Sequence, residues 1–140
     1  MNEIRLKIPA NADYIELVRL CLDGIASNMY FSSEAIDDMK IAISEACNNA
    51  VLHANPGNVT NPIDIVFEIS EASLTIRVKD QGTSFDFSET TAKEPLMHNK
   101  AFNEMESSGL GLYLMQALMD EVTVLTENGT EVILIKNIEQ

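Results

Sequence analysis

The sequence predicts an α+β fold: a two-layer α/β sandwich whose mixed, mostly antiparallel sheet carries its helices on one face. Three observations predict it. Short runs of alternating apolar residues come in pairs separated by turn residues, the pattern of strands joined as hairpins. Apolar residues recurring every three or four positions mark helices between them. The order is strand, two helices, two strands, an irregular stretch, a helix and two strands, which is not the strand–helix alternation of a dinucleotide-binding fold.

Ile4, Leu6 and Ile8 alternate with charged residues as a half-buried strand that Pro9 ends. Tyr14, Leu17, Val18, Cys21, Leu22 and Ile25 follow at helical spacing, with Asn11 as the N-cap and Asp13 where the helix dipole favours an acid. A second helix runs from about Ser33 to Ala54. Ser32 or Ser33 caps it, Ile36, Met39, Ile43, Ala46 or Cys47, and Ala50 form its buried stripe, and Asn55-Pro56-Gly57-Asn58 stops it. Ile63, Ile65, Phe67 and Ile69 alternate, as do Leu74, Ile76 and Val78, which predicts a hairpin turning near Glu71-Ala72. Residues from about Gln81 to Ser108 keep no period, and so long a stretch is usually functional or mobile. A third helix is expected from about Gly109 to Met119. A closing hairpin of Val122 and Val124 with Val132, Leu134 and Ile135 turns at Asn128-Gly129.

A chain of 140 residues is expected to be one domain spanning 1–140, large enough to stand on a single core. The net charge of −13 opposes direct nucleic-acid binding, because a phosphate backbone would be repelled, and suits a basic protein partner. No apolar run approaches the ~20 residues of a membrane span. Met1-Asn2-Glu3-Ile4-Arg5 lacks the basic-then-apolar pattern of a leader. Cys21 and Cys47 fall in apolar helical patterns as buried, reduced thiols, and no Cys-x-x-Cys or Cys/His cluster suggests zinc. A cytoplasmic protein is expected.

Three segments carry the chemistry. Glu45 and Asn49, in Ser44-Glu45-Ala46-Cys47-Asn48-Asn49, stand four apart and share one helical face. Two adjacent asparagines in mid-helix serve something other than helix stability. Asp80-Gln81-Gly82-Thr83-Ser84 follows a strand directly, a pattern an ordinary turn also shows. Ser107-Ser108-Gly109-Leu110-Gly111-Leu112 opens a helix with glycines, which cost helix stability but let a phosphate approach the positive end of the dipole.

In this order, the three segments resemble the N box and the two glycine boxes of the superfamily that includes histidine kinases, DNA gyrase, heat-shock ATPases and MutL. The resemblance spans residues 4–136. Ser44 to Ala54, Ser84-Phe85-Asp86-Phe87 and Gly109 to Val122 look most like the anti-sigma-factor serine kinases, the RsbW and anti-sigma-F kinase types. The resemblance implies a Bergerat-type ATP-binding fold, ATP and Mg²⁺ as cofactors, and a homodimer. It implies an anti-sigma factor that binds an alternative sigma factor and phosphorylates a serine of a STAS-type anti-anti-sigma protein. By the same resemblance Glu45 is the general base and Asn49 gives an oxygen to Mg²⁺. Asp80 recognises the adenine amino group and Gly82 lets the base pack close. Ser84, Ser108, Gly109, Leu110, Gly111 and Leu112 complete the nucleotide site, and Thr130 supports its adenine end. Residues from about Asp86 to Glu106 would form a lid.

The sequence departs from the family at Ser84, where many members have glycine, at Asn48, often threonine, and at Ser107, arginine in the anti-sigma-F type. His53 is expected to be structural or superficial, and His98 has no assignment. A non-catalytic module whose partner affinity is gated by ATP would look nearly the same, but needs no base at Glu45. An ATP hydrolase or histidine-kinase fragment would call for a further domain.

Overall fold

The computed structural model describes residues 2–53, 61–81 and 109–139. Five strands form one sheet: β1 (Asn2–Pro9), β2 (Pro62–Ile69), β3 (Ser73–Asp80), β4 (Glu121–Leu125) and β5 (Thr130–Asn137), in the order β1-β2-β3-β5-β4. The described helices are α1 (Ile15–Ser27), α2 (Ser33–His53) and α3 (Gly109–Leu118). The expected stop at Asn55-Pro56-Gly57-Asn58 lies outside the described residues, as do Gly82, Ser84, His98, Ser107, Ser108 and the expected lid at 86–106.

Local signals explain most of the element ends. Asn11 caps as expected, its Oδ1 accepting from the Asp13 N–H at 2.8 Å. What it caps is a single 3₁₀ turn, Ala12–Tyr14, from which α1 continues. The Ser32 hydroxyl accepts from the Ala35 N–H at 3.1 Å and opens α2. The β2–β3 turn is closed by Ser70, whose backbone N–H donates to the Ser73 carbonyl at 3.0 Å.

All four strand pairings are antiparallel, so the described sheet is not mixed as expected. The reason lies in the order of strands. β4 runs in the direction of β3, but β5 is inserted between them and removes the parallel pairing they would otherwise form.

The strand period of two divides the sheet into two faces. Ile8, Ile63, Ile65, Phe67, Leu74, Ile76, Val78, Val132 and Leu134 are buried beneath the helices, where they meet Val18, Leu22, Met39, Ile43, Met115 and their neighbours. The opposite face is open and charged. A groove on it runs past Arg5, Lys7, Asp64, Arg77, Lys79 and Glu131. Those charges largely pair with one another: Arg77 lies 2.9 Å from Glu68 and 3.6 Å from Glu131, and Lys7 lies 3.7 Å from Asp64. None of the described residues singled out for nucleotide chemistry lines that groove.

α3 is tied down at its C-terminal end. Lys136 Nζ donates to the Leu118 carbonyl at 2.6 Å, satisfying a last-turn acceptor with a positive charge where the dipole favours one. The Asp120 N–H donates to the Ile135 carbonyl at 2.9 Å, and its carboxylate accepts from the Asn137 N–H at 2.6 Å.

The β4–β5 turn needs its glycine. Asn128 has φ 56° and Gly129 φ 95°, both in the left-handed region. A Cβ on Gly129 would also overlap the Asp80 carbonyl oxygen. Gly129→Ala should therefore destabilise the fold by roughly 3 kcal/mol, from strain plus displaced backbone. Urea unfolding of the two proteins checks this, with the midpoint expected to fall and the slope to stay unchanged.

Candidate functional site

Three polar residues are buried among those described, and all three meet beneath α2: Asn49 is 4% exposed, Asp80 3% and Thr130 3%. Their convergence follows from topology. Asp80 ends β3 and Thr130 begins β5, and the antiparallel register sets the two directly opposite one another. α2 crosses above this pair and lowers Asn49 toward it. Asn49, Asp80 and Thr130 then rim a narrow recess whose walls are Ala46, Ala50, Val78 and Val132. Two alanines one turn apart keep the helix side of the recess low. The recess is closed, with no room for a water molecule, and its polar edge is a carboxylate, an amide and a hydroxyl.

Asn49 Nδ2 is buried and has no hydrogen-bond partner among the described residues. Burying an unpaired amide costs free energy, so such a group in a native fold calls for an explanation. A ligand that completes its hydrogen bonding supplies one.

Glu45 lies one turn before Asn49 on the same face of α2, half-buried. Both side chains abut the first turn of α3. A Cβ added to Gly111 would lie 2.9 Å from Glu45 Oε1 and 3.5 Å from Asn49 Nδ2. Glu45, Asn49 and Gly111, which sequence spacing leaves 66 positions apart at the extremes (111 − 45), thus form a single cluster. Partial burial pushes the Glu45 carboxyl above the ordinary glutamate range by disfavouring its charged form.

The remaining predicted residues fall differently. Leu110 is 36% exposed, and Leu112, 3% exposed, belongs to the core with Met115 and Met119, so any role of that pair at a nucleotide passes through the backbone. Gly109 begins α3. Gly82, Ser84 and Ser108 lie outside the described residues. Cys47 is in the core, where burial pushes its thiol up to about 12 and keeps it protonated. Cys21 is half-buried.

His53, expected to be structural or superficial, stands near the site. It continues the Glu45–Asn49 stripe by one more turn and lies within electrostatic reach of Asp80. Burial lowers its pKa while the Asp80 charge works in the opposite direction. The spacing of four was the available signal; the nearness of Asp80 could come only from the tertiary fold.

Residues 8–136 match the family described as the histidine kinase-like ATPase domain, which the chain therefore belongs to. Within it the chain is a member of the RsbW serine-protein kinases. It is 43% identical to the serine-protein kinase RsbW of Bacillus cereus strain G9842, over 99% of this chain and 87% of that one. It is 42% identical to the RsbW of Bacillus mycoides strain KBAB4 over the same shares. The fold also matches the crystal structure of the RsbU and RsbW domains of Rv1364c from Mycobacterium tuberculosis. There the TM-score is 0.72 at 19% identity, and the alignment covers all of this chain and 33% of that one.

The orphaned amide has a measurable consequence. Asn49→Leu keeps the volume and removes the unsatisfied group, so the nucleotide-free protein should gain about 1–2 kcal/mol. The same variant should lose the rise in melting temperature that ATP gives the parent. Thermal melts with and without ATP check both halves.

Proposed function

We propose that this protein is an anti-sigma factor with serine-kinase activity. It would bind an alternative sigma factor of RNA polymerase, and transfer the γ-phosphoryl group of ATP to a serine of a STAS-type anti-anti-sigma protein. The observation that carries this reading is the cluster of Glu45 and Asn49 against Gly111, beside a slot edged by Asp80. Membership among the RsbW serine-protein kinases supports it.

The chemistry follows from the positions of these groups. The buried Asp80 carboxylate is suited to accept a hydrogen bond from the amino group of adenine, with Thr130 beside it. The α3 N-terminus and its glycines suit the phosphates. Asn49 offers an amide oxygen to Mg²⁺, which keeps most of its shell as water and phosphate and needs few protein ligands. When bound, the ion would neutralise phosphate charge. No cluster of three or more His, Cys, Asp or Glu among the described residues is arranged to hold a metal by itself, and this site does not require one.

Glu45 acts as the general base. As the serine oxygen bonds to the γ-phosphorus and the bond to the leaving ADP oxygen breaks, the serine proton passes to the Glu45 carboxylate. Only the ionised carboxylate can take it. A non-catalytic, nucleotide-gated module remains the alternative, and Glu45 is the residue it leaves without a purpose. The protein would act as a single-domain homodimer in the cytoplasm. No described helix is long and apolar enough to cross a membrane.

The test is labelling of a lysate of the source cells with γ-³²P-ATP and Mg²⁺. The parent should label one small protein on serine. Glu45→Gln should lower the rate by at least about 100-fold while retaining ATP binding. ATP binding without any labelled protein, by the parent as well, would favour the gated module. The pH profile gives a second check. Because burial raises the Glu45 pKa, its ionised form is lost sooner as pH falls. kcat should therefore drop on the acid side with a midpoint above the ordinary glutamate range, and this limb should vanish in Glu45→Gln.

A further inference from the structure

We infer that Gly111 is a positioning residue for the Glu45 carboxylate: its missing side chain leaves the space that the carboxylate occupies between α2 and the first turn of α3. The inference rests on the kinase reading above and adds to it the group that sets where the base stands.

The need for glycine here is not conformational. Gly129 is the described glycine with positive φ, and Gly111 sits inside α3 with helical neighbours on both sides. Any L-residue could take that backbone, and alanine would favour the helix. What alanine would meet is side chain. Its Cβ would lie 2.9 Å from Glu45 Oε1, inside van der Waals contact, with Asn49 Nδ2 at 3.5 Å and Asn49 Oδ1 at 3.9 Å, ordinary packing distances. The obstruction therefore falls on one atom, the carboxylate oxygen of the base.

That atom ends a flexible side chain, which is half-buried and can swing outward. Alanine at 111 can then be accommodated by moving Glu45 rather than by moving α3, which Lys136, Asp120 and Asn137 tie to β5. The fold would persist and the base would be misplaced. A general base works only within hydrogen-bond reach of its proton; Oε1 must move by about half an ångström or more to clear the methyl, and about 1 Å costs on the order of 100-fold in rate. Glycine at this position thus serves the proton acceptor as well as the approach of phosphate.

The geometry makes a size-compensation test available. Four proteins are compared: parent, Gly111→Ala, Glu45→Asp and the double variant. ATP affinity is read with trinitrophenyl-ATP, folding by thermal melting, and transfer by the initial rate of ³²P incorporation into the acceptor labelled in the lysate. Gly111→Ala should melt no lower than the parent and lose roughly 10- to 100-fold in kcat, a larger loss than any in its nucleotide affinity. Aspartate is one methylene shorter and fits beside alanine. Glu45→Asp should therefore cost clearly less in the Gly111→Ala background than in the parent.

A loss seen in nucleotide affinity alone, an unchanged kcat, or strictly additive effects of the two substitutions would overturn the inference. A readout independent of catalysis separates it from the kinase reading. The ¹³Cδ resonance of Glu45, identified by its disappearance in Glu45→Gln, should shift in Gly111→Ala. If the parent binds nucleotide but transfers nothing, the kinase reading fails, and this resonance alone decides the positioning role, an unmoved signal counting against it.

Discussion

The site depends on the contact between α2 and the β3–β5 pair. Wherever a helix lies on a sheet, its lower face must be apolar, and most of α2 obeys: Met39, Ala42, Ile43, Ala46, Cys47 and Ala50 are buried. Asn49 breaks the rule at the point where the sheet beneath breaks it too, with Asp80 and Thr130 in place of the valines and isoleucines found elsewhere along those strands. Three polar groups buried at one spot are unfavourable unless they satisfy one another or something else. The surrounding core, anchored by Phe67, Ile63, Ile65, Leu74 and Ile76 at essentially zero exposure, supplies the stability that tolerates them. The recess exists because small residues line its helix side. Larger side chains at Ala46 and Ala50 would fill the slot and give a more ordinary, and inert, helix–sheet interface.

The fold was legible in the sequence where signals were local. Alternation located the five strands, helical spacing located α1, α2 and α3, and Asn11 and Ser32 marked starts that their hydrogen bonds bear out. The buried stripe of α2 was read nearly residue by residue. Strand order was not legible, because it depends on β5 entering between β3 and β4, and no local pattern encodes an insertion. That is why a mixed sheet was expected and an antiparallel one is found.

The same boundary divides the site. Glu45 and Asn49 could be paired from a spacing of four. Asp80 and Thr130 could each be named from resemblance, but that they are cross-strand partners is a matter of register across 50 positions (130 − 80). Leu110 and Leu112 belonged to one motif in the sequence, yet the helix turns one outward and sends the other into the core, as residues two apart on a helix must be. The closeness of His53 to Asp80 and of Gly111 to Glu45 arises only when helix and sheet are packed.

The anchoring of α3 at its C-terminal end, with Leu112 and Met115 buried along its length, has a mechanical consequence. Lys136, Asp120 and Asn137 hold the helix where it meets β4 and β5, and the helix then extends as a stiff rod toward α2. Held so, it moves as one rigid body and carries Gly111 with it. With a rise of about 1.5 Å per residue, the seven residues from Leu118 back to Gly111 form an arm of roughly 10 Å, so a tilt of about ten degrees at the base carries Gly111 through nearly 2 Å. That is comparable to the gap between a poised proton acceptor and a misaligned one. Whatever moved the helix as a body would thus move the wall against which Glu45 rests.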